Sequence, residues 1–139
     1  MSKTYYRKGF KYLSFDKDET MFKFAVFLHK NSNGKHFDIR LASYEQPDIV
    51  YSWSSRKNPL DKNYPVPMRR MKDHSEESIS SEDIYKTASK KTNTYVALAE
   101  CSAELVEINK KAGLTFETEE RTFRVVPHRG KKYFFHIID

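Results

Sequence analysis

The sequence predicts a mostly β protein, a small rolled antiparallel sheet or β-barrel with one or two short helices. Ten Phe and nine Tyr among 139 residues give an aromatic, strand-favouring bias. Short apolar segments alternate with polar positions along most of the chain, and Gly, Asn and Pro punctuate them. Rolling such a sheet into a barrel removes its exposed edges. Residues 1–139 are read as a single domain, with room for one core and one active surface.

Residues 1–20 lack a sustained period and are read as a partly ordered N-terminal arm. From there Phe22, Phe24, Val26 and Leu28 share one parity, while Lys23, Ala25, Phe27 and His29 share the other, as in a strand covered on both faces. Asn31-Ser32-Asn33-Gly34 supplies residues that tolerate left-handed backbone angles, and a second strand starts near Lys35 to complete a hairpin. A third strand runs over Asp48–Ser54. A polar loop from Arg56 to Pro65 and an extended segment over Val66–Asp73 follow. Ser80-Ser81-Glu82-Asp83 has the caps and early carboxylates of a helix start, with the helix ending near Lys90. After a strand over Tyr95–Ala99, Leu105 and Ile108 are spaced for a one-sided helix over Ser102–Lys111 that stops at Gly113. Leu114–Thr118, Arg121–Val126 and Lys132–Ile138 are the closing strands.

The charge balance is +6, from 25 Lys and Arg against 19 Asp and Glu, a modest pull toward polyanions such as nucleic acid. One cysteine, Cys101, excludes an internal disulfide and a multi-cysteine zinc cage, and the expected location is the reducing cytoplasm. No stretch approaches the ~18 apolar residues of a membrane span, so neither export nor membrane insertion is expected.

The chemically informative segment is His36-Phe37-Asp38-Ile39-Arg40-Leu41. Strand alternation sends Phe37, Ile39 and Leu41 to one face and His36, Asp38 and Arg40 to the other. The hairpin brings His29 across the ladder toward His36, so two imidazoles and a carboxylate converge, a set suited to Mn²⁺, Fe²⁺ or Zn²⁺. Arg40 adds a fork that can hold phosphate oxygens. Taken alone, H-x-D-x-R text is more often a solvent-facing hairpin with Asp38 paired to Arg40.

The succession Phe24, His29, His36-Phe-Asp-Ile-Arg40-Leu, Ser52-Trp53, Lys57-Asn-Pro59 and Asp73-His74 resembles the 3′-phosphoesterase domain family of bacterial DNA ligase D. That family carries a first His, then H-[YF]-D-x-R-L, then S-W with a Lys four residues on, then D-H. The similarity spans residues 22–74 and faintly the last strand, where His136-Ile-Ile-Asp139 replaces a K-x-x-D. It implies a Mn²⁺-dependent enzyme, or one using another divalent transition metal, that removes a 3′-terminal ribonucleotide or a 3′-phosphate to leave a 3′-hydroxyl. His29, His36 and Asp38 would be metal ligands. Arg40, Lys57 and His74 would contact phosphate, with His74 alternatively protonating the leaving oxygen.

The chain departs from the family in four places, one of them the Ser- and Glu-rich segment around Glu76 to Ile84 that replaces a Gly- and Pro-containing stretch. The step from His29 to His36 is one residue longer than usual, which predicts a bulged loop or a displaced His29. The family's Arg before D-H is Val66, for which Arg69 and Arg70 are candidate substitutes, and a Tyr after that His is Ser78. His136 is a candidate phosphate contact or a core histidine, and Trp53 is core or rim packing before it is a base-stacking platform. The expected partners are DNA or RNA–DNA 3′ ends and, in trans, a DNA ligase or polymerase, with the protein a monomer. The alternative is a catalytically silent nucleic-acid-end binding module of the same fold. A metal-dependent hydrolase or oxygenase of small molecules is a weaker third reading.

Overall fold

The computed structural model describes residues 4–5, 15–16, 20–32, 34–45, 49–71, 94–109 and 111–138. Within the expected N-terminal arm, β1 (Thr4–Tyr5) and β2 (Phe15–Asp16) pair with each other antiparallel. The other strands are β3 (Met21–Asn31), β4 (Gly34–Ser43), β5 (Tyr51–Ser55), β6 (Val66–Arg70), β7 (Thr94–Asn109), β8 (Gly113–Glu117), β9 (Thr122–Arg129) and β10 (Lys132–Ile137). These eight close into an antiparallel barrel in the order β10-β6-β5-β4-β3-β7-β8-β9. The barrel expectation holds. The helix expected from Ser80 to Lys90, together with Asp73 and His74, lies outside the described residues.

The barrel is filled by the aromatic residues that the composition advertised. Phe22, Phe24 and Val26 of β3 point inward with Ile39 and Leu41 of β4, Trp53 of β5, Phe123 of β9 and Tyr133 and Phe135 of β10. Phe123 lies at the centre of an aromatic stack, 4.5 Å from Phe24, 4.8 Å from Phe135 and 5.3 Å from Phe116 between ring centres. Each such ring contributes about 1.5–3 kcal/mol by leaving water. Trp53 is fully buried, edge-on to Tyr133, so it is core and not a base platform.

The second expected helix, over Ser102–Lys111, is instead the second half of β7. Ala103 and Leu105 alternate inward. The ladder then skips from Leu105↔Phe116 to Glu107↔Thr115, leaving Val106 as an extra, exposed residue. This β-bulge switches the inward parity so that Ile108 joins the core. A bulged strand thus reproduces the three-residue spacing of a helix face. The strand ends where Asn109 Oδ1 accepts from the amides of Lys111 and Ala112, at 2.8 and 2.9 Å. Gly113 then takes φ +85°, where a methyl group would collide with the Val125 carbonyl oxygen.

Candidate metal centre

The β3–β4 hairpin closes at Asn31↔Gly34, with Gly34 at φ +127°, and runs without a register break from there to Phe22↔Ser43. This places His29 directly opposite His36, Phe27 opposite Asp38 and Ala25 opposite Arg40. The expected bulge or displacement of His29 does not occur, because the ladder runs unbroken on both sides of the His29↔His36 pair. Since the even residues of β3 fill the barrel, His29 and its partners lie on the barrel's outer wall. Ala25, Phe27, Ala42 and Val50 form a second buried apolar cluster there, with Tyr95 and Ala97 packed against it.

Three side chains converge. His29 Nδ1 is 3.1 Å from His36 Nε2 and 3.5 Å from Asp38 Oδ2, and His36 Nε2 is 2.9 Å from Asp38 Oδ1. Ligands held about 2.1 Å from one ion stand about 3.0 Å apart at right angles and about 3.4 Å apart at tetrahedral angles. Each quoted pair is close to the spacing of neighbouring ligands on one divalent ion, His29 meeting one Asp38 oxygen and His36 the other, and one ligand atom from each residue lies within 4.8 Å of the others. Arg40 Nη2 donates to Asp38 Oδ2 at 3.1 Å, and the guanidinium lies 5.5 Å from the Phe27 ring centre and 5.9 Å from that of Tyr95. Side-chain exposures of 3% for Arg40 and 8% for Asp38 overturn the solvent-facing hairpin, although the pairing which that reading expected is present. At that depth Arg40 is less an open phosphate fork than a fixed cation behind Asp38.

Tyr95 belongs to no motif in the sequence. It pairs with His29 across β3–β7, and its ring stacks on the His29 imidazole at 4.2 Å and 13°. A β-bulge puts it there. The ladder steps from Val26↔Ala99 to Phe27↔Ala97, so Leu98 is the extra residue. Ala99, Ala103 and Leu105 accordingly serve the core, while Tyr95 and Ala97 turn to the outer face. Burial, and secondly the Asp38 carboxylate, hold the Tyr95 phenol above its ordinary range, which keeps it neutral. No local signal in the sequence marks such a residue, because its role depends on the register of a distant strand.

The remaining candidates separate. Arg69 is exposed on the outer wall opposite Ser54, which in turn pairs with Asp38. Arg70 is turned the other way, sharing the parity of Met68. Buried against Tyr51 and Trp53, it donates to the Ser52 and Met71 carbonyls, so it braces the barrel and does not face a substrate. Lys57 is exposed, with Nζ 3.4 Å from Tyr64 Oη. His136 alternates with the buried Tyr133 and Phe135 and pairs with Arg124 on β9. It is therefore not a core histidine, and β6 and β5 separate its strand from β4. His74 is outside the described residues.

Among the described residues, no helix is long and apolar enough to cross a membrane. No protein-family model matches the chain, and a search of curated proteins finds no match.

Proposed function

We propose that the chain is a divalent-metal-dependent phosphoesterase acting at the 3′ ends of nucleic acids, removing a terminal ribonucleotide or phosphate to leave a hydroxyl. The observation that carries this reading is the convergence of His29, His36 and Asp38, with one ligand atom from each within 4.8 Å of the others, in a motif order that resembles the ligase D 3′-phosphoesterases. Mn²⁺, or another divalent transition metal, bound there would supply an activated water and neutralise charge on the phosphoryl oxygens.

The chain's own groups do the rest. Arg40 holds the Asp38 carboxylate in place and keeps a fixed positive charge beside the ligand set, which needs no reorganisation as negative charge develops. The Tyr95 ring fixes the plane of the His29 imidazole, as supporting residues do for metal-bound histidines. Lys57 and Arg69, which line one cleft, supply cations for phosphate, and His74 would contact phosphate or protonate the leaving oxygen. A ligase or polymerase acting in trans would use the product. The free thiol of Cys101 suits a reducing cytoplasm.

One observation favours the second reading, a silent nucleic-acid-end binding module. Arg40 is almost wholly buried and engaged by Asp38, which withdraws it from direct phosphate contact. The deciding experiment incubates the protein with Mn²⁺ and labelled primer-templates ending in a 3′-ribonucleotide or a 3′-phosphate, with Asp38→Ala and chelator controls. Conversion to a 3′-hydroxyl that requires both Asp38 and metal is the expected outcome. Bound but unconverted ends would establish the silent module.

A further inference from the structure

The β5–β6 ladder contains only Trp53↔Arg70 and Ser54↔Arg69. Backbone alternation explains why it stops. The Met71 amide donates to the Ser52 carbonyl on β5 at 2.8 Å, so the amides two and four residues earlier face β5 as well. Position 67 is proline and has no N–H to give. Ser55 Oγ donates to the Pro67 carbonyl at 3.0 Å in place of a ladder bond, and accepts from the Lys57 amide at 3.3 Å, which fixes the start of the following loop.

The parted strands leave a cleft of about 380 Å³ in the barrel wall. Its described lining includes Arg56, Lys57, Arg69 and Lys132 and no carboxylate, with the exposed Pro67 giving it apolar surface. A concavity lined by one sign of charge concentrates polyanions, and apolar surface beside cations is what single-stranded nucleic acid requires, one for bases and one for phosphates. The register joins this cleft to the metal centre. Asp38, Ser54, Arg69 and Lys132 follow one another across β4, β5, β6 and β10. At the usual strand spacing, Arg69 is about 10 Å from Asp38 along the wall.

We propose that this cleft is a nucleotide subsite, which holds the nucleotide preceding the 3′ terminus with its phosphates on Arg69 and Lys132 and its base over Pro67. It rests on the phosphoesterase reading for the polarity of the strand, and it makes a polynucleotide, not a small phosphate ester, the preferred ligand. Arg56 and Lys132 belong to no motif that the sequence offered. Pro67 is the residue that opens the site.

The test measures binding without catalysis. A 5′-fluorescent, 3′-phosphorylated single-stranded oligonucleotide is titrated in EDTA, with anisotropy read over a range of salt. For the Arg69→Ala/Lys132→Ala double variant, binding should weaken about tenfold, and the log–log salt slope should become shallower by about 1.4, the loss of two phosphate contacts on a single strand. Its unfolding midpoint and calorimetric Mn²⁺ affinity should match wild type, whereas Asp38→Ala should bind the oligonucleotide undiminished. A control removing the same two charges at Lys23 and Lys111 should change little. Wild-type affinity in the double variant, an equal loss in the control, or no oligonucleotide binding by wild type at low salt would each overturn the subsite. Cleft-dependent binding with no Mn²⁺-dependent turnover would overturn the phosphoesterase and leave the subsite standing. Turnover indifferent to Arg69 and Lys132 would do the reverse.

Discussion

At Asp38 one carboxylate serves two imidazoles and a guanidinium, and the burial of these partners is unequal. Arg40 is 3% exposed at its side chain, whereas His36 is 30% exposed. Removing the partner of a buried cation costs about 3–5 kcal/mol, while truncating a half-exposed imidazole removes a ligand and little else. Asp38→Ala should therefore lose about 3 kcal/mol of metal-free stability in a urea titration, and His36→Ala under about 1 kcal/mol, although both abolish Mn²⁺ binding in calorimetry. Equal, small losses would mean that the Asp38–Arg40 pair contributes nothing to the fold. Tyr95 offers a finer comparison, since it touches the site through a ring face. Tyr95→Phe keeps the stack on His29 and should keep Mn²⁺ affinity, whereas Tyr95→Ala should weaken it by about tenfold or more. The convergence of His29, His36 and Asp38 was legible in the sequence because alternation and a Gly-containing turn both act over a few residues. Alternation also excludes Arg69 and Arg70 from facing the same way, which is why grouping them as substitutes for one missing arginine fails at Arg70.

Among the elements, β7 shows where reading by period breaks down. Its two bulges, at Leu98 and Val106, each shift the inward parity by one, so no single period describes the strand. The sequence consequently shows a short strand followed by a false helix, while the continuous element is Thr94–Asn109. The hairpin β3–β4 has no such interruption and reads correctly from Phe22 onward. The bulge at Leu98 also has a purpose that the barrel alone does not require, because it turns Tyr95 from the interior parity to the face of His29. Deleting Leu98 should restore period two, swing Tyr95 off His29 and weaken Mn²⁺ binding at least as far as Tyr95→Ala does. Calorimetry on the folded deletion variant checks this. An undiminished affinity would show that the His29 imidazole is held without the ring.

For the whole molecule, the separation of inside from outside matters more than the number of strands. Barrel closure by β10 on β6 was not written in any local pattern, since the sequence shows strands but not which distant ones meet. Closure brings Phe135 against Phe123 and within 6.0 Å of Phe24, on the inner side of the strand whose outer side carries His29. Core and site thus share β3 but occupy opposite faces. Phe135→Ala should cost about 3–5 kcal/mol through the lost ring and the cavity left behind. If the wall holds its shape, Mn²⁺ at about 100 times its dissociation constant should add the same ~2.7 kcal/mol to wild type and to Phe135→Ala, and nothing to His36→Ala. The two effects would then be additive, as they are for sites without shared partners. A clearly smaller gain in Phe135→Ala, read from paired urea titrations with and without Mn²⁺, would mean that relaxation of the core bends β3 and pulls His29 out of register with His36. The metal centre would then depend on the packing of the barrel as well as on its own ligands.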